Sequence, residues 1–490
     1  MRRQRLHANA TRGKRGLLTS WAVSRALFAN WSGTAFSSPQ VVAVPTTVAD
    51  LQEVITNHTR YPSPVRAAGS FHSLTACFET TGTQVLTGHF DTIQVNVEAR
   101  TATVGAAVSM IKLRDALRPH GMQTEVTPEI GNATAGSVAC GGTKDASIKA
   151  TGLGQVSSTV VGVKMVNARG DIEEIDAERD AERLFEVRSS YGLLGLIFEV
   201  TFRIQPVVTL AYDYRNFKLD PTPTRAEMQG DADGMLSFAQ PYANRIIVER
   251  RYVVGDARVK PSSFSRLKRR ARDKTWETGV SVLPTLLPFN WLYYAQDHGL
   301  AYQLQVLRGL GGYSGRRYDS TIDFKFKRRS FFDFSFWAIP ASRWQHFAPT
   351  YRKFCEDFRR ETGFRSSLPS EVYWMSRDAN SLLSPSLDED VFTMDPVDTR
   401  PKDPLWDELN RRFNIVAAGF GGRPLLNQTK HLTREIVRQT LGDGWDRFCA
   451  IRRDEDPNGR FLNGYFNDLL SATPVEPTKR FRSRRPATAV

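Results

Sequence analysis

The hydrophobic positions of residues 39–204 fall into short alternating segments and one-sided helical segments, separated by turn-forming residues. Between 47 and 58 the apolar residues share one helical face, and Thr47 precedes them in the position of an N-cap. A second helix is predicted around 111–120, ending at the glycine Gly121. The same pattern predicts strands at 65–68, 84–87, 93–97, 101–104, 160–167 and 196–204.

Beyond Pro206, which marks a boundary, strands alternate with longer basic helices. An aromatic strand is predicted over 331–339, a helix over 341–362, and a helical last segment over about 406–470. No run of about 18 uninterrupted apolar residues occurs, so no membrane span is predicted. The nearest approach, 281–296, is broken by two prolines and favours buried core over an interfacial membrane contact or a substrate-pocket wall.

Length, composition and net charge limit the classes of protein to which this chain can belong. A chain of 490 residues, 41% hydrophobic and 24% charged, predicts a soluble protein of two domains. Most of the net charge of +14 lies in two tails, because residues 2–15 carry six cations without an acid and 479–485 carry five more. Solvated basic ends are the favoured interpretation, and no specific nucleic-acid partner is predicted. Binding of nucleic acid or peripheral contact with an anionic membrane are the alternatives.

The four cysteines, Cys77, Cys140, Cys355 and Cys449, are scattered and form no CxxC pair, so neither a disulfide framework nor a metal site is predicted. The basic N-terminus is followed by a segment too polar for the apolar region of a signal peptide. A cytoplasmic location is therefore expected.

Three loops rich in glycine and hydroxyl side chains carry the candidate chemistry. Residues 66–75 read RAAGSFHSLT after an apolar run, and such a turn exposes successive backbone N–H groups that can cradle a phosphate. Similar loops follow at 131–143 and 151–157. The P-loop, the full dinucleotide fingerprint, HExxH and GxSxG are absent. The set suits a pyrophosphate-bearing cofactor held mainly by backbone amides.

Six motifs in order resemble the vanillyl-alcohol-oxidase (PCMH) type of FAD-binding flavoproteins, in the branch of aldonolactone and alditol oxidases. The motifs are NWSG (30–33), RAAGSFHS (66–73), the loop 131–143, SYGLLGLIFEVTFR (190–203), GGRP (421–424) and DPNGRFLN (456–463). The resemblance implies an α+β fold: an FAD domain of two subdomains, a cap domain, and a C-terminal segment returning to the FAD domain. The implied boundaries are a basic tail at 1–33, the FAD domain at 34–207, the cap at 208–405, the C-terminal segment at 406–470 and a second tail at 471–490.

The resemblance also implies the cofactor and its contacts. FAD is expected, with His72 in the position where many relatives bond covalently to the flavin. A phenylalanine, Phe71, replaces the usual middle glycine, Thr127 replaces a second linking cysteine, and Lys144-Asp145 replaces a histidine-glycine pair. The implied contacts are Arg66, Gly69, Ser70, Phe71, His72, Ser73, Thr127, Gly131, Asn132, Thr134, Gly136, Ser137, Gly142, Thr143, Ile197, Phe198, Arg423 and Asn463.

The catalytic motifs of the branch are altered here. Its Glu-x-Arg reads Glu371-Val-Tyr373, and Gln428 stands at the position of its C-terminal lysine, with Lys430 just beyond. Hydride loss from an alcohol carbon needs a base for the hydroxyl proton, so Glu371, Tyr373, Gln428 and Lys430 are the catalytic candidates. The loss of two cations predicts a less charged, more apolar pocket.

The expected function is that of an FAD-dependent oxidoreductase on a CH–OH group of a small-molecule alcohol or sugar-lactone-like substrate. The hydride passes to flavin N5, and O₂ or another acceptor reoxidises the flavin. Three alternatives remain: a biosynthetic enzyme for an aromatic or terpenoid alcohol, a degenerate flavin-binding protein, and a nucleic-acid binder acting through its tails.

Overall fold

A computed structural model describes residues 27–149, 151–255, 313–320 and 332–470, with a few further positions between 263 and 306. Most of both basic tails and the apolar stretch 281–296 lie outside the described residues. In the described part of the chain, no helix has the length and apolar character needed to cross a membrane. All four cysteines are free.

A small parallel sheet opens the fold. Its strands, in order, are Val41–Ala43, Thr83–Leu86 and Val65–Ala68. Helix Val48–Thr56 packs on it through a buried apolar face, and the predicted cap at Thr47 is confirmed, since its hydroxyl accepts from Asp50 N at 3.1 Å. Nearby, Phe28–Ala29 pairs with Phe36–Ser37.

An antiparallel sheet of six strands follows. Its order is Ile172–Asp176, Val160–Val166, Leu196–Pro206, Thr101–Gly105 and Ile93–Asn96, with Met122–Thr124 on the end of the long central strand. The predicted strands are confirmed to within about two residues. Helices Met110–Leu117, Ala135–Cys140 and Ala181–Val187 belong to this part of the chain. The predicted helix end at Gly121 follows a short 3-10 turn, and Gly121 has the left-handed φ of 66° that favours glycine.

The third sheet has eight strands and holds the middle of the chain. Its order is Tyr313–Arg316, Thr209–Phe217, Arg245–Gly255, Gly234–Gln240, Ser370–Met375, Val391–Thr393, Trp337–Pro340 and Arg423–Pro424. Helix Trp344–Thr362 packs on it, after a 3-10 turn that occupies the first three residues of the predicted helix. The short helix Arg225–Gln229 lies between two of the strands in sequence.

The single aromatic strand predicted over 331–339 is wrong. The described part of that segment forms two strands, Asp333–Phe334, which pairs with Val397–Asp398, and Trp337–Pro340 in the large sheet. The buried Asp333 carboxylate accepts from Lys430 at 2.6 Å and from Trp406 at 3.0 Å, which draws the chain toward the C-terminal helices before it enters the sheet. Periodicity alone does not show these distant partners.

The C-terminal segment joins both larger sheets. Helix Pro404–Gly419 packs in the core of the eight-stranded sheet through Phe413 and Ala417. The helical segment Arg434–Glu455, which is kinked at Gly442, and helix Gly464–Leu470 pack instead against the core of the six-stranded sheet. The segment between 419 and 434 therefore passes the junction of the two sheets.

Candidate active site

An open cleft with an empty volume of about 1130 Å³ lies where loop 66–73 faces loop 133–143 and segment 191–197. Its walls come from parts of the chain that are distant in sequence, and the residues at 427 and 428 close one side. The implied cofactor contacts that line it are Arg66, Gly69, Ser70, Phe71, His72, Ser73, Thr134, Gly136, Ser137, Thr143 and Ile197, and the catalytic candidate Gln428 lines it as well.

The loops of the cleft approach one another too closely for side chains at two positions. A Cβ on Gly69 would lie 2.5 Å from Thr134 Oγ1, and one on Gly195 would lie 2.9 Å from the Val166 carbonyl oxygen. Both residues line the cleft. Glycine is therefore required there by the packing of loop against loop, which leaves backbone atoms at the surface of the cleft.

The backbone beside the cleft is strained at residues other than glycine. Phe71, Ser189 and Tyr191 have φ values of 58°, 61° and 56°, in the left-handed region. Each such residue costs about 1–3 kcal/mol and persists only where its surroundings hold it. The ring of Phe71 stacks on Phe28 at 5.5 Å and meets Phe78 edge-on at 5.4 Å. These contacts hold Phe71 in the conformation of the glycine that it replaces.

Arg66 is a buried cation without an acidic partner among the described residues. Its guanidinium donates to the carbonyl oxygens of Cys77 at 2.8 Å and Tyr191 at 2.7 Å, and more distantly to those of Gly192 and Phe461. Its Nε has no hydrogen-bond partner in the described part of the chain. Burial lowers the pKa of Arg66, because no counter-charge offsets the loss of water. An anionic phosphate in the cleft would supply that charge.

Two side-chain amides border the other end of the cleft. Asn427 and Gln428 donate to the Gly142 carbonyl oxygen at 3.0 and 2.8 Å. Their own amide oxygens are buried and accept no hydrogen bond from any described residue. A buried acceptor without a donor is unfavourable, so both oxygens suit a ligand that presents N–H groups. Together with Arg66 and the glycine-lined walls, they fit FAD, which carries a pyrophosphate and a ring N–H.

His72 lines the same cleft and is held as neutral imidazole. Its ring lies 5.9 Å from the ring of Trp31, centroid to centroid. Burial lowers the pKa of His72 to about 4, so the ring carries no charge at neutral pH. Neutral imidazole has a free electron pair on one ring nitrogen and is the nucleophilic form.

Beside the cleft, five ionisable side chains form what we call the charged cluster: Glu129, Lys144, Glu371, Tyr373 and Asp395. The Tyr373 hydroxyl lies 3.1 Å from Glu371 Oε2 and 3.1 Å from Glu129 Oε2. The Lys144 ammonium lies 2.6 Å from Asp395 Oδ2 and 4.8 Å from the centroid of the Tyr373 ring. Ile130 and Thr143, the chain neighbours of Glu129 and Lys144, line the cleft.

Burial perturbs every acid of the charged cluster. It raises the pKa of Glu129 to about 7, with a further contribution from the charge of Glu371. Burial and the charge of Asp395 raise the pKa of Glu371, and burial raises the pKa of Asp395 to about 6 in spite of Lys144. Perturbed acids of this kind, next to a cleft, are typical of catalytic sites.

The structure places several predicted site residues outside both the cleft wall and the charged cluster. Lys430 pairs with Asp333 at 2.6 Å, and Arg423 pairs with Asp388 at 2.6 Å. The Asn463 amide donates to the carbonyl oxygens of Ala76, Cys77 and Glu79, which ties the C-terminal helix to the first sheet.

The remaining predicted contacts lie just behind the cleft wall. Thr127 is buried, and Asn132 is half-buried on the loop that leads to the cleft. The Gly131 carbonyl accepts from Ile111 N, and that of Phe198 accepts from Ala106 N, both at 2.9 Å. Gly142 packs on Leu425, where a Cβ would lie 2.4 Å from a side-chain carbon, so the wall admits no larger residue there.

Glu129, Asp395 and Asn427 belong to the site without having been predicted from the sequence, and Lys144 was predicted only as a departure from the family pattern. Glu129 lies two residues from Thr127 in a loop already singled out, which is the only local signal that it offers. This chain lacks the arginine and the lysine of the family's catalytic motifs. The region is nevertheless charged, because Glu129, Lys144 and Asp395 lie in it.

Comparison with known proteins identifies the class. Residues 39–176 match the profile of an FAD binding domain, and residues 200–469 match the profile described as D-arabinono-1,4-lactone oxidase. The fold and the cleft therefore define an FAD-dependent oxidoreductase. Because the second match spans more than half of the 490 residues, the chain belongs to the D-arabinono-1,4-lactone oxidase family. The predicted cofactor and enzyme class are confirmed.

Relatives are similar along almost the whole chain. An L-gulonolactone oxidase of Bos taurus is 25% identical over 469 residues, covering 90% of this chain and 98% of its own. An L-gulono-1,4-lactone dehydrogenase of Mycobacterium tuberculosis is 24% identical over 462 residues, covering 91% and 99%. The relatives therefore include both an oxidase and a dehydrogenase.

Solved structures support the fold. A cholesterol oxidase from B. sterolicum matches with a TM-score of 0.69 at 17% identity, covering 93% of this chain and all of that one. A solvent-stable cholesterol oxidase matches with a TM-score of 0.68 at 16% identity, covering 91% and 98%. At these identities the likeness shows the fold alone, and it confirms the predicted α+β class.

Proposed function

We propose that the protein oxidises a CH–OH group of a hydroxyl-rich sugar lactone, with Glu371 as the acceptor of the hydroxyl proton. The observation that carries the proposal is the charged cluster beside a cleft that fits FAD. Carboxylates and an ammonium suit a substrate with several hydroxyl groups better than an aromatic or terpenoid alcohol. The names of the relatives point to the same substrate class.

The roles of the residues follow from their chemistry. Bound FAD supplies a two-electron acceptor for the hydride that leaves the substrate carbon. Arg66 and the backbone of loops 66–73 and 133–143 would hold the pyrophosphate, and the amides of Asn427 and Gln428 would meet polar atoms of the flavin. Glu371 accepts the hydroxyl proton as the C–O bond becomes a carbonyl, so that one hydride and one proton leave the alcohol.

The division of the chain is part of the proposal. The residues that line the cleft fall within the predicted FAD domain, 34–207, and the C-terminal segment, 406–470. Strand Ser370–Met375, which carries Glu371 and Tyr373, falls within the predicted cap, 208–405. The reacting group of the substrate would therefore lie where the cap meets the FAD domain, because the charged cluster combines residues from both of these parts of the chain.

The test is anaerobic reduction of the purified, FAD-loaded protein by a panel of lactones, alditols and aromatic alcohols. Loss of the absorption of oxidised flavin is expected with a lactone and not with the aromatic alcohols. Reduction by aromatic or terpenoid alcohols alone would contradict the proposed substrate. Flavin that no alcohol reduces would favour a degenerate flavin-binding protein.

We further propose that His72 bonds covalently to FAD. Its place in the cleft and its neutral ring support the bond. Flavin fluorescence is expected to remain on the protein band after denaturation in SDS, and His72→Ala is expected to abolish it. The matched control is His120→Ala, since His120 is exposed and lies outside the cleft. Fluorescence that leaves the wild-type band on denaturation would exclude the covalent bond and leave FAD binding intact.

A further inference from the structure

The Tyr373 hydroxyl stands between two carboxyl groups that come from different parts of the chain. Glu371 is its neighbour on strand Ser370–Met375, whereas Glu129 is contributed by the loop that precedes the cleft wall. Both carboxyl oxygens lie 3.1 Å from the same phenol oxygen. A phenol has one proton to donate, so it can donate to only one of the two carboxylates at a time.

The second contact needs a proton of its own. If both carboxylates were ionised, one of them would face a lone pair of the phenol oxygen at hydrogen-bond distance in a buried site, which is unfavourable. If one carboxyl group is protonated, it donates to the phenol oxygen while the phenol donates to the other carboxylate. The geometry therefore requires one proton shared within the pair of acids.

The neighbours indicate which acid is ionised. Burial and the charge of Asp395 raise the pKa of Glu371, but the Lys144 ammonium opposes this rise and favours the ionised form, whereas burial and the charge of Glu371 together raise the pKa of Glu129 to about 7. The order of donation is then Glu129 to Tyr373 to Glu371. The ionisable groups that act on Glu129 from the surrounding elements are Glu371, Tyr373, Arg251, Asp145 and Asp395, and Lys144 acts on Glu371 and Asp395.

Resting on the proposed function, we propose that Glu129 is a positioning residue that, in its protonated form, donates through Tyr373 and keeps Glu371 ionised to accept the substrate proton. When the substrate proton reaches Glu371, all three groups are protonated. Glu371 then gives this proton to water, while Glu129 and Tyr373 keep their own protons. Each turnover therefore releases one proton from the cluster, returns Glu371 to its ionised form and involves no electron transfer among these groups.

The variant Glu129→Gln distinguishes this role from a structural one. A glutamine amide donates to Tyr373 at every pH, as protonated Glu129 does, so kcat should stay within about tenfold of wild type near pH 6. Wild-type kcat should fall as pH rises through about 7, where Glu129 loses its proton. In Glu129→Gln this alkaline fall should be absent. Glu129→Met, which cannot donate, should lower kcat by at least about tenfold near pH 6 and should also lack the alkaline fall.

The control is Glu125→Gln, four residues earlier, where the carboxylate pairs with Arg203 outside the cluster. It should keep the wild-type pH profile. If Glu129 had only a structural role, Glu129→Gln would lower kcat by the same factor at every pH and would keep the alkaline fall. An unchanged alkaline fall in Glu129→Gln would therefore overturn the proposal.

Infrared difference spectroscopy gives a second measurement that does not need turnover. Wild-type protein near pH 6 should show the carbonyl stretch of a buried protonated carboxylic acid, shifted in D₂O and lost on raising the pH. Glu129→Gln should lack the part of the band that disappears as pH rises through about 7, and Glu125→Gln should keep it. Absence of the band in wild-type protein would overturn proton sharing even if the variants fail to fold. If the band is present but no lactone reduces the flavin, the proposed function fails and proton sharing stands.

Discussion

Replacing Asp145 by alanine is expected to lower the free energy of unfolding by about 3–5 kcal/mol. Asp145 is buried and lies 3.0 Å from a nitrogen of Arg251 and 3.4 Å from a nitrogen of Arg317. Arg251 also pairs with the buried Glu249 at 3.0 Å. Without Asp145, both buried guanidinium groups would lose an ion pair, and the loss of a buried counter-charge is among the largest destabilising effects of a single substitution.

The position of these charges explains why the effect should be large. Asp145 belongs to the loop that leaves the cleft wall, and Arg251 belongs to strand Arg245–Gly255 of the eight-stranded sheet. Burial opposes the charge of Arg251, yet Asp145 and Glu249 together raise its pKa well above the usual value. The ion pairs therefore hold the cofactor-binding part of the chain against the sheet that carries Glu371.

Denaturant unfolding, followed by far-ultraviolet circular dichroism, measures the effect. The matched control is Asp115→Ala, an acid of the same kind that is 51% exposed and pairs with Arg114 at 2.9 Å and with exposed Arg118 at 3.7 Å. It should change the free energy of unfolding by less than about 1 kcal/mol. Equal effects of the two substitutions would mean that the buried ion pairs contribute no more than exposed ones.

The sequence pattern predicted those helices and strands that depend on residues close together in the chain. The cap at Thr47 depends on residues three positions apart, and the strand at 65–68 depends on a short apolar run before a turn. The break in the aromatic segment after Phe334 does not depend on its neighbours. It follows from Asp333, whose partners Trp406 and Lys430 are 73 and 97 residues away along the chain.

The candidate site also has one part that local sequence predicts and another part that only the fold brings together. Composition and spacing indicate loop 66–73 and the glycines of the second loop, because close approach of backbone needs small residues wherever they occur. The charged cluster is different: Glu129 and Tyr373 are 244 residues apart, and only the packing of a loop against a distant strand brings their side-chain oxygens to 3.1 Å. A glutamate in a loop looks like a solvated residue until the strand that covers it is known.

Replacing Glu371 by glutamine is expected to lower kcat with a lactone by about 10²–10⁴-fold, the usual contribution of a general base. The amide keeps the shape of the side chain but cannot accept the substrate proton. The matched control is Glu361→Gln, on the surface of the same part of the chain, where the carboxylate is 58% exposed and pairs with Arg412. Its kcat should equal that of wild type. Rapid-mixing reduction of the flavin isolates the chemical step.

The stability of Glu371→Gln separates a catalytic role from a structural one. Burial and the charge of Asp395 raise the pKa of Glu371, so the folded protein binds this proton more tightly than the unfolded chain does. Stability is then lost as pH rises from the unfolded pKa through the folded one, and the ionised carboxylate opposes folding above it. At about pH 8 the variant should be at least as stable as wild type. A buried carboxylate that lowers the stability of the folded protein is consistent with a catalytic role, in which it accepts the proton of the substrate. A variant that loses stability and keeps its turnover would instead make Glu371 part of the framework of the sheet.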